Sequence, residues 1–167
     1  FHQKFWTADG RTLNAQFAEY SNKQKLGTLL CGAGTVEDVF VSGSSDGNIF
    51  VWKGRRLDRM MKAHEDAITS MWGSPNGLVT ASRDGTIKLW SSLVQHMRSF
   101  SLTDADVPPL EFCVRSLDAS LALDGKSIMR ILTATSAGEI YEVAAKSGSI
   151  CLMHESHFEG HGAQVPE

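Results

Sequence analysis

Three groupings of side chains in this sequence carry residue types that do chemistry. His64, Ser82 and Asp84 are the types of a base, a nucleophile and an orienting carboxylate, which together activate a hydroxyl for acyl transfer. His154, His157 and His161 with Glu155 and Glu159 offer imidazole and carboxylate donors in one short stretch, a set suited to zinc or nickel. Gly32-Ala33-Gly34 opens like a glycine loop that cradles phosphate. The last two fail on spacing. The loop has Glu37 where the third glycine belongs and no helical pattern after it, and a zincin helix needs its second histidine where Phe158 stands, with His157 one residue short. A strand running into a turn accounts for the glycines and a polar connection for the His/Glu run, so no metal and no cofactor is expected.

The elements that must position His64, Ser82 and Asp84 recur along the chain. SGSSDGNIFVW at 42–52 aligns without a gap on TASRDGTIKLW at 80–90. Each copy has a serine (Ser44, Ser82), an Asp-Gly two residues on (Asp46-Gly47, Asp84-Gly85) and an apolar run closed by Trp52 or Trp90. A weaker copy at 131–143 keeps Gly138 but places Thr135, Ala137 and Val143 where the others have Ser, Asp and Trp. A further closing strand opens the chain and ends at Trp6, so strand ends fall at 6, 52, 90 and 143, spaced by 46, 38 and 53 residues. That brackets the roughly 40–45 residues of a four-stranded propeller blade. Asp-Gly between two strand-like runs predicts a hairpin closed by a two-residue type I′ turn. The flanking runs are apolar at nearly every position, as expected where both faces of a sheet are covered.

Composition sets the class. With 42% hydrophobic and 21% charged residues the chain has enough apolar material to fold, and its 167 residues suit one domain or part of a repeat array. A net charge of −3 gives no global field for a nucleic-acid backbone or an anionic membrane, so neither is an expected partner. No apolar run approaches the roughly 20 residues that span a bilayer. Cys31, Cys113 and Cys151 are odd in number and widely spaced, which fits a reducing cytosolic setting better than a disulfide framework.

Ser, Asp and Trp at this spacing, with Ala63-His64 upstream, resemble a WD repeat with its tetrad of His64, Ser82, Asp84 and Trp90. Ser44, Asp46 and Trp52 make a partial set, since Leu26 stands at the upstream histidine position. The resemblance implies that the aspartate accepts from its turn and from the histidine, the histidine donates to the hydroxyl, and the hydroxyl receives the indole N–H. It also implies burial, which removes His64, Ser82 and Asp84 from contention as a catalytic set and makes the protein a non-enzyme. Together with HQKFWTADG at 2–10, VWKGRRLDR at 51–59, AGEIYEV at 137–143 and EGHG at 159–162, these repeats resemble the echinoderm microtubule-associated protein-like family over about residues 2–164. The family implies a non-catalytic interaction scaffold with tubulin or microtubules as partner, in the cytoplasm on the cytoskeleton or in a ciliary axoneme. The competing expectation is a generic adaptor in a ubiquitin-ligase or signalling complex.

The expected fold is therefore an all-β WD40-type propeller, incomplete, with about three full four-stranded blades and part of a preceding one. Residues 1–20 end one blade, 28–62, 66–102 and 111–154 form blades, and 157–167 start the next repeat, with His161 as its structural histidine. Propellers typically close with 4–8 blades, so the remaining blades of a longer parent chain are expected partners. Two surface features stand out. Lys53, Arg55, Arg56, Arg59 and Lys62 cluster against Asp58 in ten residues, on the expected outer strand of the first full blade. There they would guard a sheet edge or meet an acidic partner. The insertion 101–109, SLTDADVPP, joins two blades and ends in a proline pair, either as a solvated connector or as a recognition loop.

Overall fold

A computed structural model describes residues 4–20, 27–36 and 39–154. Among them the structure is all β apart from one 3-10 turn at Leu102–Asp104. A two-stranded hairpin, β1 (Lys4–Asp9) and β2 (Thr12–Phe17), precedes three four-stranded antiparallel meanders. The first joins β3 (Leu29–Gly34), β4 (Val39–Ser44), β5 (Asn48–Lys53) and β6 (Arg56–Lys62). The second joins β7 (Ile68–Ser74), β8 (Gly77–Ser82), β9 (Thr86–Ser91) and β10 (His96–Ser101). The third joins β11 (Val114–Leu121), β12 (Ile128–Thr135), β13 (Ile140–Ala144) and β14 (Ile150–His154). These are propeller blades, and β3, β7 and β11 lie side by side as their inner strands. The described residues hold no helix long and apolar enough to cross a membrane. The expected start of a further repeat at 157–167, and Leu26, lie outside the described residues.

The near-continuous apolar runs follow from burial on both faces. Every residue of β8 is buried. One side chain set of the second blade, Leu78 and Trp90 with Ile68, packs against Val41, Ile49 and Val51 of the first blade. The alternate set, Val79, Ala81 and Ile87, packs against Ile131, Tyr141 and Val143 of the third. Each blade is thus one wall of two cores, and period-two alternation sorts its side chains between them. Polar links reinforce the inner strands, where Cys31 Sγ donates to the Ile68 carbonyl at 3.4 Å and Thr69 Oγ1 to the Val114 carbonyl at 2.6 Å. The β1–β2 hairpin docks through Phe5, whose ring meets Phe40 edge-on at 6.0 Å and Trp52 at 5.5 Å. Its other side leaves Trp6, Leu13 and Phe17 exposed, and the far face of the third blade shows Met129 and Leu132.

The hairpins differ from the expected type I′ turn. Val94 is the one non-glycine at positive φ among the described residues, so Asp46 and Asp84 keep ordinary backbone. The turns close by hydrogen bonds from Gly47 N–H to the Ser44 carbonyl and from Gly85 N–H to the Ser82 carbonyl, both 3.2 Å, and only the glycines go left-handed, at φ +76° and +78°. This four-residue turn wins because it leaves the Asp side chain free to receive N–H and O–H groups from its own loop, which an Asp-Gly centre of type I′ does not require. Glycine is needed at 47 for a second reason. Its carbonyl accepts from Ala63 N–H at 2.9 Å and His64 N–H at 3.0 Å, and any Cβ there would run into the His64 carbonyl oxygen. The connection leading to the next blade is therefore strapped onto the hairpin of the blade it leaves, and Gly85 receives Leu102 N–H at 3.0 Å in the same way.

Candidate functional site

His64, at the end of the strap, is almost fully buried between the first two blades. Its Nε2 lies 2.7 Å from Thr80 Oγ1 and its Nδ1 2.8 Å from Thr86 Oγ1. The Trp90 indole, which can only donate, gives its N–H to Thr80 Oγ1 at 2.9 Å. The Thr86 proton is committed to the Asp84 carboxylate, which only accepts, so the ring hydrogen sits on Nδ1 and Nε2 accepts from the Thr80 hydroxyl. From there the chain continues as Nδ1–H to Thr86 Oγ1, and Thr86 O–H to Asp84 Oδ1 at 2.6 Å. The hydroxyl of this tetrad is Thr80, not the expected Ser82, and Thr86 is a fifth member that carries the hydrogen bonding to Asp84. Sequence spacing held the signal. Thr80 precedes Trp90 by ten residues, two strand positions before Ser82 and on the same face, and Ser42 precedes Trp52 by the same ten and accepts its indole at 2.9 Å.

Ser82 and Ser44 instead serve the turns. Ser82 Oγ donates to the Asp66 carbonyl and accepts from Asp84 N–H, each at 3.2 Å, while Ser44 Oγ donates to Asp46. The Asp84 carboxylate accepts from Thr86 N–H at 2.9 Å and Glu65 N–H at 3.0 Å, with His64 Nδ1 3.7 Å away. Burial works to raise its pKa, yet His64, the Thr86 hydroxyl and these N–H groups outweigh burial and hold it well below the usual carboxylate range. Asp46 is also lowered, chiefly by Ser44.

The third blade shows what replaces the aspartate. Ala137 stands at its position, and Glu139, two residues on and 3% exposed, takes over. Its Oε2 accepts from Thr135 Oγ1 at 2.6 Å and its Oε1 from Leu110 N–H at 2.8 Å, the counterpart of Glu65 N–H on Asp84. With Val143 in place of tryptophan, Thr133 turns its hydroxyl to the Ser116 carbonyl at 3.2 Å.

None of this is arranged for turnover. Both His64 nitrogens and Ser82 Oγ are committed within the fold, so in this set no free base faces a nucleophile. Burial pushes the Cys31 thiol up to about 11, keeping it protonated and unreactive near neutral pH. Among the described residues no three His, Cys, Asp or Glu side chains converge to hold a metal ion; of the His/Glu run only His154 is among them. Gly32-Ala33-Gly34 lies within β3, so the glycines sit in a strand instead of cradling a phosphate.

The five cations of the candidate partner patch are all exposed, Lys53 at the end of β5, Arg55 in the turn and the others on β6. Most are engaged. Lys53 pairs with Asp58 at 3.1 Å, Arg55 with Glu19 at 2.5 Å, and Lys62 Nζ donates to the Asp46 carbonyl at 2.8 Å. The stretch around Glu19 also pairs in parallel with β6 at Arg56, through Leu57 N–H to the Glu19 carbonyl at 2.9 Å. Arg59 donates to the Leu93 carbonyl in the β9–β10 turn of the second blade. Arg98, at the same place in β10, reaches the β13–β14 turn of the third blade with bonds to the carbonyls of Ala145 at 3.0 Å, Lys146 at 2.7 Å and Ser147 at 3.1 Å. The two arginines oppose Val51 and Leu89, each one residue before the closing tryptophan. They form a repeated clasp between blades that sequence reading missed. The spacing was available, but nothing local distinguishes a clasp from an edge charge.

These blades match a known family. The WD domain, G-beta repeat family matches residues 24–53 and 55–91. Residues 24–91 carry WD40 repeats. Among curated proteins, this WD40-repeat chain is 31% identical over 43% of its length to Nuclear distribution protein PAC1 of Candida albicans, covering 16% of that protein. It is 27% identical over 62% of its length to Echinoderm microtubule-associated protein-like 1 of Homo sapiens, covering 13% of it. To Telomerase protein component 1 of Rattus norvegicus it is 26% identical over 78% of its length, covering 5% of it. The chain thus spans less than a fifth of the length of each of these relatives. A solved structure of RRP9 WD40 repeats superposes with a TM-score of 0.60 at 18% identity, over 74% of this chain and 36% of that one. That likeness bears on the fold alone. WD40 repeats suggest a protein–protein interaction scaffold.

Proposed function

We propose that this chain is part of a microtubule-associated scaffold whose outer β6 edge meets the acidic surface of tubulin. The observation that carries the proposal is the concentration of Lys53, Arg55, Arg56, Arg59 and Lys62 against Asp58 and Glu19 on one blade edge of a protein with net charge −3. Asp58 and Glu19 offset two of the five cations and the bonds to carbonyls offset none, so the edge keeps a net positive charge. The likeness to Echinoderm microtubule-associated protein-like 1, a protein microtubule-associated by name, supports the same reading. On it the protein acts by contact, on the cytoskeleton or in an axoneme, and the bare faces of the β1–β2 hairpin and third blade receive further blades of a longer parent. The test is co-sedimentation of the intact protein with microtubules at low and physiological salt. Arg56→Glu, which disturbs no side-chain bond described above, is expected to lower the pelleted fraction several-fold at low salt, and added salt to weaken pelleting of the parent. Unchanged pelleting, insensitive to salt, overturns it.

A second reading, an adaptor in a ubiquitin-ligase or signalling complex, is favoured by a different observation. Four of the five cations already serve the fold, which is what plain edge protection would produce. Binding of a soluble complex without pelleting on microtubules selects it.

A further inference from the structure

The connection from the second blade to the third is built unlike the one before it. Between the first two blades, residues 63–67 run straight from strap to strand with His64 turned inward. Residues 102–113 instead detour to the outer strand of the third blade before returning to its hairpin end. Asp106 N–H bonds to the Ile150 carbonyl at 3.2 Å, and Asp106 Oδ1 accepts from Val107 N–H at 2.9 Å and from Leu152 N–H at 3.1 Å. The return is pinned by Leu110 N–H on Glu139 and by Ser136, which donates its hydroxyl to Glu111 at 2.5 Å and its N–H to the Cys113 carbonyl at 2.9 Å. Pro109 is buried, and Phe112 lies over Gly85 of the second blade's hairpin.

This anchored backbone turns apolar side chains outward. Leu110 is 81% exposed, Val107 48% and Phe112 39%, with exposed Pro108 between them. Water wets these side chains at a cost of about 25 cal/mol for each Å² that a partner would cover, and contiguous apolar exposure on a rigid loop marks an interaction site. The charge within the loop itself has one sign. Residues 102–113 hold Asp104, Asp106 and Glu111 and no Lys or Arg, and the turn beneath Phe112 adds one cation, Arg83.

We infer that the loop 105–112 is a docking surface for a protein segment that carries apolar side chains flanked by Lys or Arg. The apolar row takes the partner's apolar side chains, the acidic flanks take its cations, and the two-ended anchoring means that little loop entropy is lost on binding. The surface is separate from the β6 edge and opposite to it in charge preference, so it stands or falls independently of microtubule binding.

The test uses the intact protein and a short fluorescein-labelled peptide of Leu and Lys in amphipathic order, with a Leu/Glu peptide of the same pattern as control. Fluorescence anisotropy is expected to show binding of the Leu/Lys peptide that weakens about tenfold in Val107→Ser/Leu110→Ser and with rising salt, and no binding of the Leu/Glu peptide. Asp104→Lys is expected to weaken binding with a shallower salt dependence. The substituted side chains face solvent, so an unchanged thermal midpoint accompanies the loss, and microtubule pelleting is unaffected. Equal binding by parent and double variant, or equal binding of the Leu/Glu peptide, overturns the inference. Protection of Leu110 from hydroxyl-radical labelling in the intact protein alone also overturns it, because the patch is then covered by the protein's own chain.

Discussion

At the residue scale, the second-blade tetrad works as a directed relay from Trp90 through Thr80, His64 and Thr86 to Asp84, and its members are unequal. Thr80 faces two partners that have no other bond, so Thr80→Val strands a buried indole N–H and a ring nitrogen, each costing about 1–3 kcal/mol. Ser82 bonds only its own turn and the Asp66 carbonyl, and Ser82→Ala is expected to cost about 1 kcal/mol. Denaturant midpoints of the two variants measure the difference, and a larger loss at Ser82 returns the tetrad role to it. Asp84 adds a pH signature. Its folded pKa lies below its unfolded value of about 3.9, so its stabilisation is complete above that value and is lost as pH falls through the folded one. Asp84→Asn is therefore expected to be clearly less stable than the parent at about pH 6 and to approach it at about pH 2, read from urea midpoints at both. A gap that stays constant across that range removes the carboxylate's charge from the account.

At the element scale, blades are joined by more than their apolar faces. The strap on Gly47 and Gly85 fixes where each outer strand hands over to the next blade, and the Arg59 and Arg98 clasps tie each outer strand to the following blade's far turn. Arg98 serves three carbonyls and lies over the Phe100 ring at 5.2 Å. Arg98→Ala is expected to cost about 2–3 kcal/mol by the scale of charged hydrogen bonds. Arg98→Lys recovers only part of it, because an ammonium on a flexible stem lacks the planar fork that spans a turn. Hydrogen exchange at Ala145 and Gly148 reads the loosening directly; exchange there unchanged by Arg98→Ala rules out the clasp. At the third blade's equivalent position, opposite Glu142, stands Cys151, so no clasp extends from β14.

At the scale of the whole molecule, the fold was legible in the chain because its signals are local and repeated. Ser-x-Asp-Gly turns, closing tryptophans and doubly apolar strands recur at blade spacing, and each depends on a few adjacent residues meeting ordinary backbone preferences. The same local signals placed the cationic cluster on an outer strand. They did not reveal that Arg59 spends its charge on the next blade, that Glu139 stands in for an absent aspartate, or that the connection before the third blade turns Leu110 outward. They also misassigned the tetrad hydroxyl, because Ser82 and Thr80 lie on one face of one strand and only the indole's reach chooses between them. The sequence by itself determined the strands, their order, the turn glycines and the class of fold. The tertiary structure alone decided which hydroxyl, carboxylate and cation meets which partner, since those contacts join residues from different elements, and their geometry exists only once the blades have stacked.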